Sequence, residues 1–196
     1  MIFLKPKTIR GNVKMGKRIL VGILALTMGL TCLTGCGKKQ SDTMDGSNLP
    51  SSVTQPFESS AQFTYGDFSF EAGVRRETPG TCMITITSPD PVAGMKFTYQ
   101  SDKLTVEYLG LSVDIDPNSA LSKAAVSAVV KALDAAARQN GVSVSFEHGQ
   151  FLVSGESDSG KFTLILDEKS GNFLSLEMPD IPMSVKFNNF KLLSAS

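Results

Sequence analysis

One cysteine, Cys36, offers the clearest chemistry in the sequence. It ends a Leu-Thr-Gly-Cys tetrapeptide at the close of an uncharged apolar run, Ile19–Leu33, which itself follows a basic stretch, Lys14–Arg18. A basic start, an apolar run and small residues near the cleavage point are typical of an export signal. An export signal that ends at a cysteine in this way is cut before that cysteine, and lipid is attached to the sulfur. The sequence therefore predicts cleavage before Cys36 and a diacylglycerol thioether on that residue.

The length of the apolar run limits the alternatives for the amino-terminal region. Its 15 residues fall short of the roughly 20 that a helix needs to span a bilayer core, so an uncleaved anchor helix is the weaker interpretation. Met15 heads a complete basic start and is an alternative initiator. The predicted organisation is a signal peptide over residues 1–35, a lipidated cysteine with a flexible tether over residues 36–60, and one folded domain over residues 61–196.

Lipid on Cys36 predicts attachment to the extracytoplasmic face of a cell membrane, because each buried CH₂ of the acyl chains contributes about 0.8 kcal/mol. The short Met-Gly-Lys-Arg leader at Met15 and Gly37 after the cysteine are typical of a Gram-positive lipoprotein. The membrane is therefore a predicted partner through Cys36.

Loss of the signal peptide changes the charge of the chain. The whole sequence carries 19 basic and 19 acidic side chains, and six basic but no acidic ones precede Cys36, so the mature chain has a formal net charge of −6. Nucleic acid requires positive patches, and no nucleic-acid partner is predicted. Arg75 and Arg76 form a local basic spot. We interpret it as a solvated hairpin end, with contact to an acidic headgroup as the alternative.

The remaining residues that could do chemistry do not form a reaction centre. Cys82 alternates with apolar neighbours and is predicted to be a small buried core residue, with a reactive thiol as the alternative. His148, the sole histidine, is predicted to end a strand. Asp114 and Asp116 lack the rest of a calcium loop and are predicted to face solvent. No catalytic residue, metal site or cofactor is predicted.

The folded domain alternates apolar and polar residues almost throughout. Runs such as Cys82–Ile86 and Leu104–Tyr108 show period two and are bounded by turn residues, which is typical of half-buried antiparallel strands. About five such strands precede a helical segment and five follow it. Near Gly66 the alternation of apolar and polar residues shifts by one position, and we interpret this shift as a bulge or a separate short strand.

One helix is predicted, over about residues 117–140. Pro117 suits a first turn, and Asn140-Gly141 suits a termination. Its polar residues fill one narrow stripe, so the helix is predicted to be buried over more than half of its circumference. The predicted fold class is mostly β: a curved antiparallel sheet, or incomplete β-barrel, of about ten strands cradling one central helix.

Three segments resemble the LolA/LolB-like lipoprotein-carrier superfamily: Ser88–Phe97, Asp167–Leu176 and Val185–Phe190. The resemblance covers about residues 68–190. It implies an incomplete antiparallel β-barrel whose concave side is closed by helices, and a cavity between sheet and helices that binds acyl chains.

With that fold, the apolar faces of the strands and helix are candidate cavity lining, and ordinary core is the alternative. The candidates all belong to the predicted inner face. They are Ile84, Ile86, Phe97, Tyr99, Leu104, Val106, Val126, Val129 and Leu133. The predicted function is non-catalytic binding of a lipid or other apolar ligand. The alternative is a cell-envelope protein-interaction module without a ligand.

Overall fold

A computed structural model describes residues 49–116 and 125–194, which belong to one compact unit, Ser41–Ser196. The predicted signal peptide, the lipidation residue Cys36 and the first eight residues of the predicted helix, 117–124, lie outside the described residues. No described helix has the length and apolar character required to cross a membrane.

Within the described residues, strands outnumber helices. Two short 3₁₀ segments, Ser51–Val53 and Asp90–Val92, accompany one α-helix, α1, over Ala125–Arg138. The strands are β1 Phe57–Tyr65, β2 Phe68–Thr78, β3 Thr81–Ser88, β4 Lys96–Gln100, β5 Lys103–Tyr108, β6 Leu111–Ile115, β7 Ser143–Glu147, β8 Gln150–Ser157, β9 Gly160–Asp167, β10 Phe173–Met178 and β11 Met183–Leu192.

These strands form a single antiparallel sheet in the order β6-β5-β4-β3-β2-β1-β11-β10-β9-β8-β7. The sheet curves without closing, so β6 and β7 are its edges in the described part of the chain. The inner face, defined here as the face toward α1, carries the hydrophobic core. The predicted class, an open antiparallel half-barrel around one helix, is confirmed.

The described part of the chain has one strand more than the ten predicted, and this strand, β1, explains the phase change near Gly66. A two-residue turn joins β1 to β2, and β1 also pairs with β11 in the middle of the sheet. Folded structure thus begins before the predicted tether boundary at residue 60, with Val53 and Phe57 fully buried. The separate strand that the phase change suggested is confirmed, but the sequence pattern missed where it begins, because Ser59 interrupts its apolar face. Ser59 is buried there and donates to the Asn188 carbonyl at 2.7 Å.

The helix is buried over most of its circumference, as predicted. Ten of the 14 residues of α1 are buried. Its predicted polar stripe does not simply face solvent, however, because Ser127 and Asp134 lie in the interior. The buried position of Asp134 is explained by an ion pair described below.

Candidate ligand-binding face

The nine predicted cavity residues share the interface between the sheet and α1. Seven of them are buried, and six belong to one continuous core cluster with Val53 and the aromatic residues of β1, β9 and β10. Phe97 and Val106 are only partly buried and pack against that cluster. The structure therefore brings the nine residues together, mostly as packed core. Their contact with a ligand stays a prediction.

Apolar side chains remain uncovered at two places on the same inner face, at the β1–β2 turn and on the edge strand β6. We call Tyr65, Phe68, Leu111 and Val113 the inner rim; their exposed fractions are 43%, 78%, 73% and 55%. Tyr65 pairs with Phe68 across β1 and β2, directly beyond the stacked pair of Phe63 and Phe70. Because side chains alternate along a strand, Tyr65 and Phe68 point to the same face as that pair.

Strand β6 continues the inner wall past the core. Val113 lies opposite Val106 of β5, and Ile115, which packs on the core, lies opposite Leu104. Residues directly opposite in an antiparallel pair point to the same face. Leu111 and Val113 are therefore inner-face residues that nothing in the described part of the chain covers fully.

The turn between β5 and β6 adds a protruding apolar side chain. Leu109 has a φ of +51°, is followed by Gly110 at +81°, and is 84% exposed. A positive φ is unusual for a bulky residue, and this two-residue turn would favour asparagine or glycine at the position of Leu109. The positive φ and the exposed apolar side chain make Leu109 a candidate contact residue.

A polar cleft of about 480 Å³ lies where α1 meets the β4–β5 and β8–β9 hairpins. The Tyr99 hydroxyl donates to Asp102 at 2.7 Å, and Lys131 lies 3.8 Å from Asp158. Burial, followed by the hydrogen bond to Asp102, raises the pKa of Tyr99 well above its usual range. The Tyr99 phenol is therefore protonated at physiological pH. With both charge signs on its walls, the cleft is suited to polar contacts and not to an acyl chain.

A buried ion pair joins the sheet to α1. Arg76 of β2 is 1% exposed, and its Nη2 lies 3.1 Å from Asp134 Oδ1. Its Nη1 donates to the Val53 carbonyl at 2.9 Å, and the Gly80 N–H donates to the Asp134 carboxylate at 3.0 Å. Burial lowers the pKa of Arg76, and Asp134 opposes that shift.

The prediction of a solvated hairpin end is thus wrong for Arg76, although Arg75 is exposed beside Glu77 and Glu58. The signal in the sequence was the parity of Ala72, Val74 and Arg76, which places the arginine on the inner face.

The other residues with chemical potential lie apart. Cys82 is buried, as predicted, and burial raises the pKa of its thiol to about 12. His148 is exposed in the turn after β7. Asp114 is exposed and contacts Lys103 at 2.6 Å and the Thr105 hydroxyl at 2.7 Å. No described cluster of histidine, cysteine or carboxylate side chains has an arrangement that could hold a metal ion.

No protein-family model and no curated protein matches the sequence. Similar solved structures include an uncharacterized conserved protein from Thermus thermophilus, with 10% identity and a TM-score of 0.47 over 74% of this chain and 84% of the other. A LolA superfamily protein from Nitrosomonas europaea has 10% identity and a TM-score of 0.41 over 73% and 88% of the two chains. A chain in the complex of the CwlD amidase from Clostridioides difficile with the GerS lipoprotein has 14% identity and a TM-score of 0.44 over 70% and 86%. These likenesses concern the fold.

Proposed function

We propose that the protein is a lipid-anchored, extracytoplasmic binding protein that holds a lipid or other apolar ligand on the inner rim without covalent chemistry. The observation that carries the proposal is the exposed inner wall of β6. Leu111 and Val113 continue the apolar surface of the core yet remain more than half exposed. Lipid on Cys36 anchors the domain to the membrane in this proposal.

The chemistry of the rim suits an acyl chain. Full burial of a large apolar side chain contributes about 1.5–3 kcal/mol, and each CH₂ of the ligand about 0.8 kcal/mol. Partly buried Phe97 and Val106 lie next to the rim on β4 and β5, so they provide the deeper contacts. In this proposal the remaining seven predicted lining residues form the packed core beneath the ligand.

Fluorescent fatty-acid uptake by residues 37–196 tests the proposal. We expect saturable binding by the wild type and at least a tenfold loss of affinity in Val113→Asp, since a carboxylate on the inner wall must be desolvated by the acyl chain. Met83→Asp is the matched control. Met83 is also a partly exposed apolar strand residue, but it borders a different pocket, which Arg75 and Thr85 also line, and not the inner rim. Equal affinities of the two variants, or repeated absence of uptake and of co-purified lipid, would contradict the proposal.

The alternative function is a protein-interaction module. The observation that favours it is the edge of β6, which pairs with no strand beyond β5 among the described residues.

A further inference from the structure

The two edges of the sheet differ in how well they are protected. On β7, the inner residue Val144 is buried at 2% exposure. On β6, the inner residues Leu111 and Val113 are open, and the strand contains neither the proline nor the lysine that commonly blocks edge pairing. Within the described residues, β6 is therefore the edge at which another strand would bury apolar surface.

The register identifies which backbone groups of β6 are free. The two-residue turn Leu109–Gly110 makes Tyr108 and Leu111 a hydrogen-bonded pair, and such pairs alternate along an antiparallel ladder. The backbone groups of Leu111, Val113 and Ile115 consequently point toward β5. Those of Ser112 and Asp114 point away from the sheet, so each offers one N–H and one C=O to an added strand.

Charge indicates the kind of strand that fits. On the outer face, Lys96 contacts Glu107 between β4 and β5, and Lys103 contacts Asp114 between β5 and β6. On the outer face, Asp114 is thus the charged residue of the edge strand β6. A side chain on the outer face of an added strand would lie opposite its carboxylate. A basic residue there is favourable, because opposite charges directly across two strands stabilise their pairing.

A second copy of the chain fits less well. Antiparallel pairing of two β6 strands about Val113 would bring the two Asp114 carboxylates onto neighbouring outer positions. The mature chain would also carry a formal net charge of −6 on each copy. Charge complementarity therefore favours a different protein as the occupant.

We propose that β6 is a docking strand for an extended segment of a partner protein. The segment pairs with the backbone of Ser112 and Asp114, its alternate apolar side chains cover Leu111 and Val113, and a basic side chain meets Asp114. Strand addition of this kind obtains affinity from main-chain hydrogen bonds and specificity from alternate side chains.

The test uses the full chain, reconstituted in nanodiscs, and a labelled synthetic peptide with alternating valine and lysine or threonine. The variant Ser112→Pro removes one outward N–H without removing a ladder bond or an inner side chain, whereas Ser112→Ala keeps that N–H. We expect Ser112→Pro to weaken peptide binding at least tenfold and Ser112→Ala to stay within twofold of the wild type. A peptide with aspartate in place of lysine should also bind at least tenfold more weakly.

Hydrogen exchange supplies the second measurement. In the peptide-free protein the Ser112 and Asp114 amides should exchange rapidly, and the peptide should protect them. Protection before the peptide is added, a wild-type dimer that Ser112→Pro dissociates, or equal binding by both variants would overturn the proposal. Fatty-acid uptake should be the same in both Ser112 variants, so failure here is distinct from failure of the proposed function.

Discussion

At the scale of single residues, Arg76 and Asp134 fix the position of α1 in the half-barrel. The guanidinium reaches the helix and the Val53 carbonyl at once, so one side chain joins β2, α1 and the segment that leads into β1. Nε of Arg76 has no hydrogen-bond partner among the described residues. We infer that the pair contributes to positional specificity more than to net stability, because desolvation of two charges offsets much of their attraction.

Arg76→Met should destabilise the fold by about 3–5 kcal/mol, since it leaves the buried Asp134 carboxylate without its cation. Addition of Asp134→Leu should recover part of that loss. Urea unfolding followed by circular dichroism measures both changes. The neighbouring Arg75→Met is the control and should leave the midpoint almost unchanged, because Arg75 is exposed. Similar midpoints for Arg75→Met and Arg76→Met would refute the structural role of the buried pair.

Cys82 should be inert toward thiol reagents in the native state. Burial raises its pKa to about 12, above the ordinary value of 9.0, so the reactive thiolate is absent through pH 9. Maleimide labelling of the mature protein should be slow at pH 8 and rapid in urea, because unfolding exposes the thiol. Rapid labelling without denaturant would show that Cys82 is accessible.

At the scale of elements, close packing between β8 and β9 depends on a residue without a side chain. A Cβ on Gly155 would approach Phe162 and Val142 to 2.9 Å. Gly155→Ala should therefore cost about 1–3 kcal/mol through overpacking. Gly73→Ala on β2 is the matched control, because its added Cβ meets nothing within 4 Å. Thermal unfolding separates the two variants, and equal melting temperatures would exclude the predicted clash.

The strands illustrate what could and could not be predicted from the sequence. Period-two alternation predicted most of the strands and their inner residues, because one buried face imposes that pattern. It left open whether β1 is a separate strand and missed where β1 begins, because the buried Ser59, which donates to the Asn188 carbonyl, interrupts the apolar pattern. The lining residues that it predicted lie mostly under α1, because periodicity reports which face is inner but not where the helix stops covering it. The exposed wall of β6 therefore became visible only from the tertiary structure.

At the scale of the whole molecule, the predicted lipid on Cys36 limits how far the domain can move from the membrane. Twelve residues separate Cys36 from Leu49, the first described residue. If these residues form the flexible tether that the sequence predicts, their typical end-to-end distance is about 20 Å and their maximum reach is near 45 Å. In this account the domain stays close enough to the bilayer to exchange apolar ligands with it.

Cys36→Ala should release the protein from the membrane or leave the precursor uncut, because the thioether anchor is lost. Membrane fractionation and gel mobility measure the two outcomes. Cys82→Ala, which keeps the predicted signal intact, should stay in the membrane fraction. Unchanged mobility and fractionation in Cys36→Ala would rule out the lipid anchor.

The most direct test of ligand binding at the inner rim is photocrosslinking of the full chain in membranes with a diazirine fatty acid, followed by mass spectrometry of the labelled peptides. Labels should be concentrated around Tyr65, Phe68, Leu111 and Val113, and the β6 label should be markedly weaker in Val113→Asp. Labels confined to segments of the outer face, or an unchanged pattern in Val113→Asp, would contradict ligand binding at the inner rim.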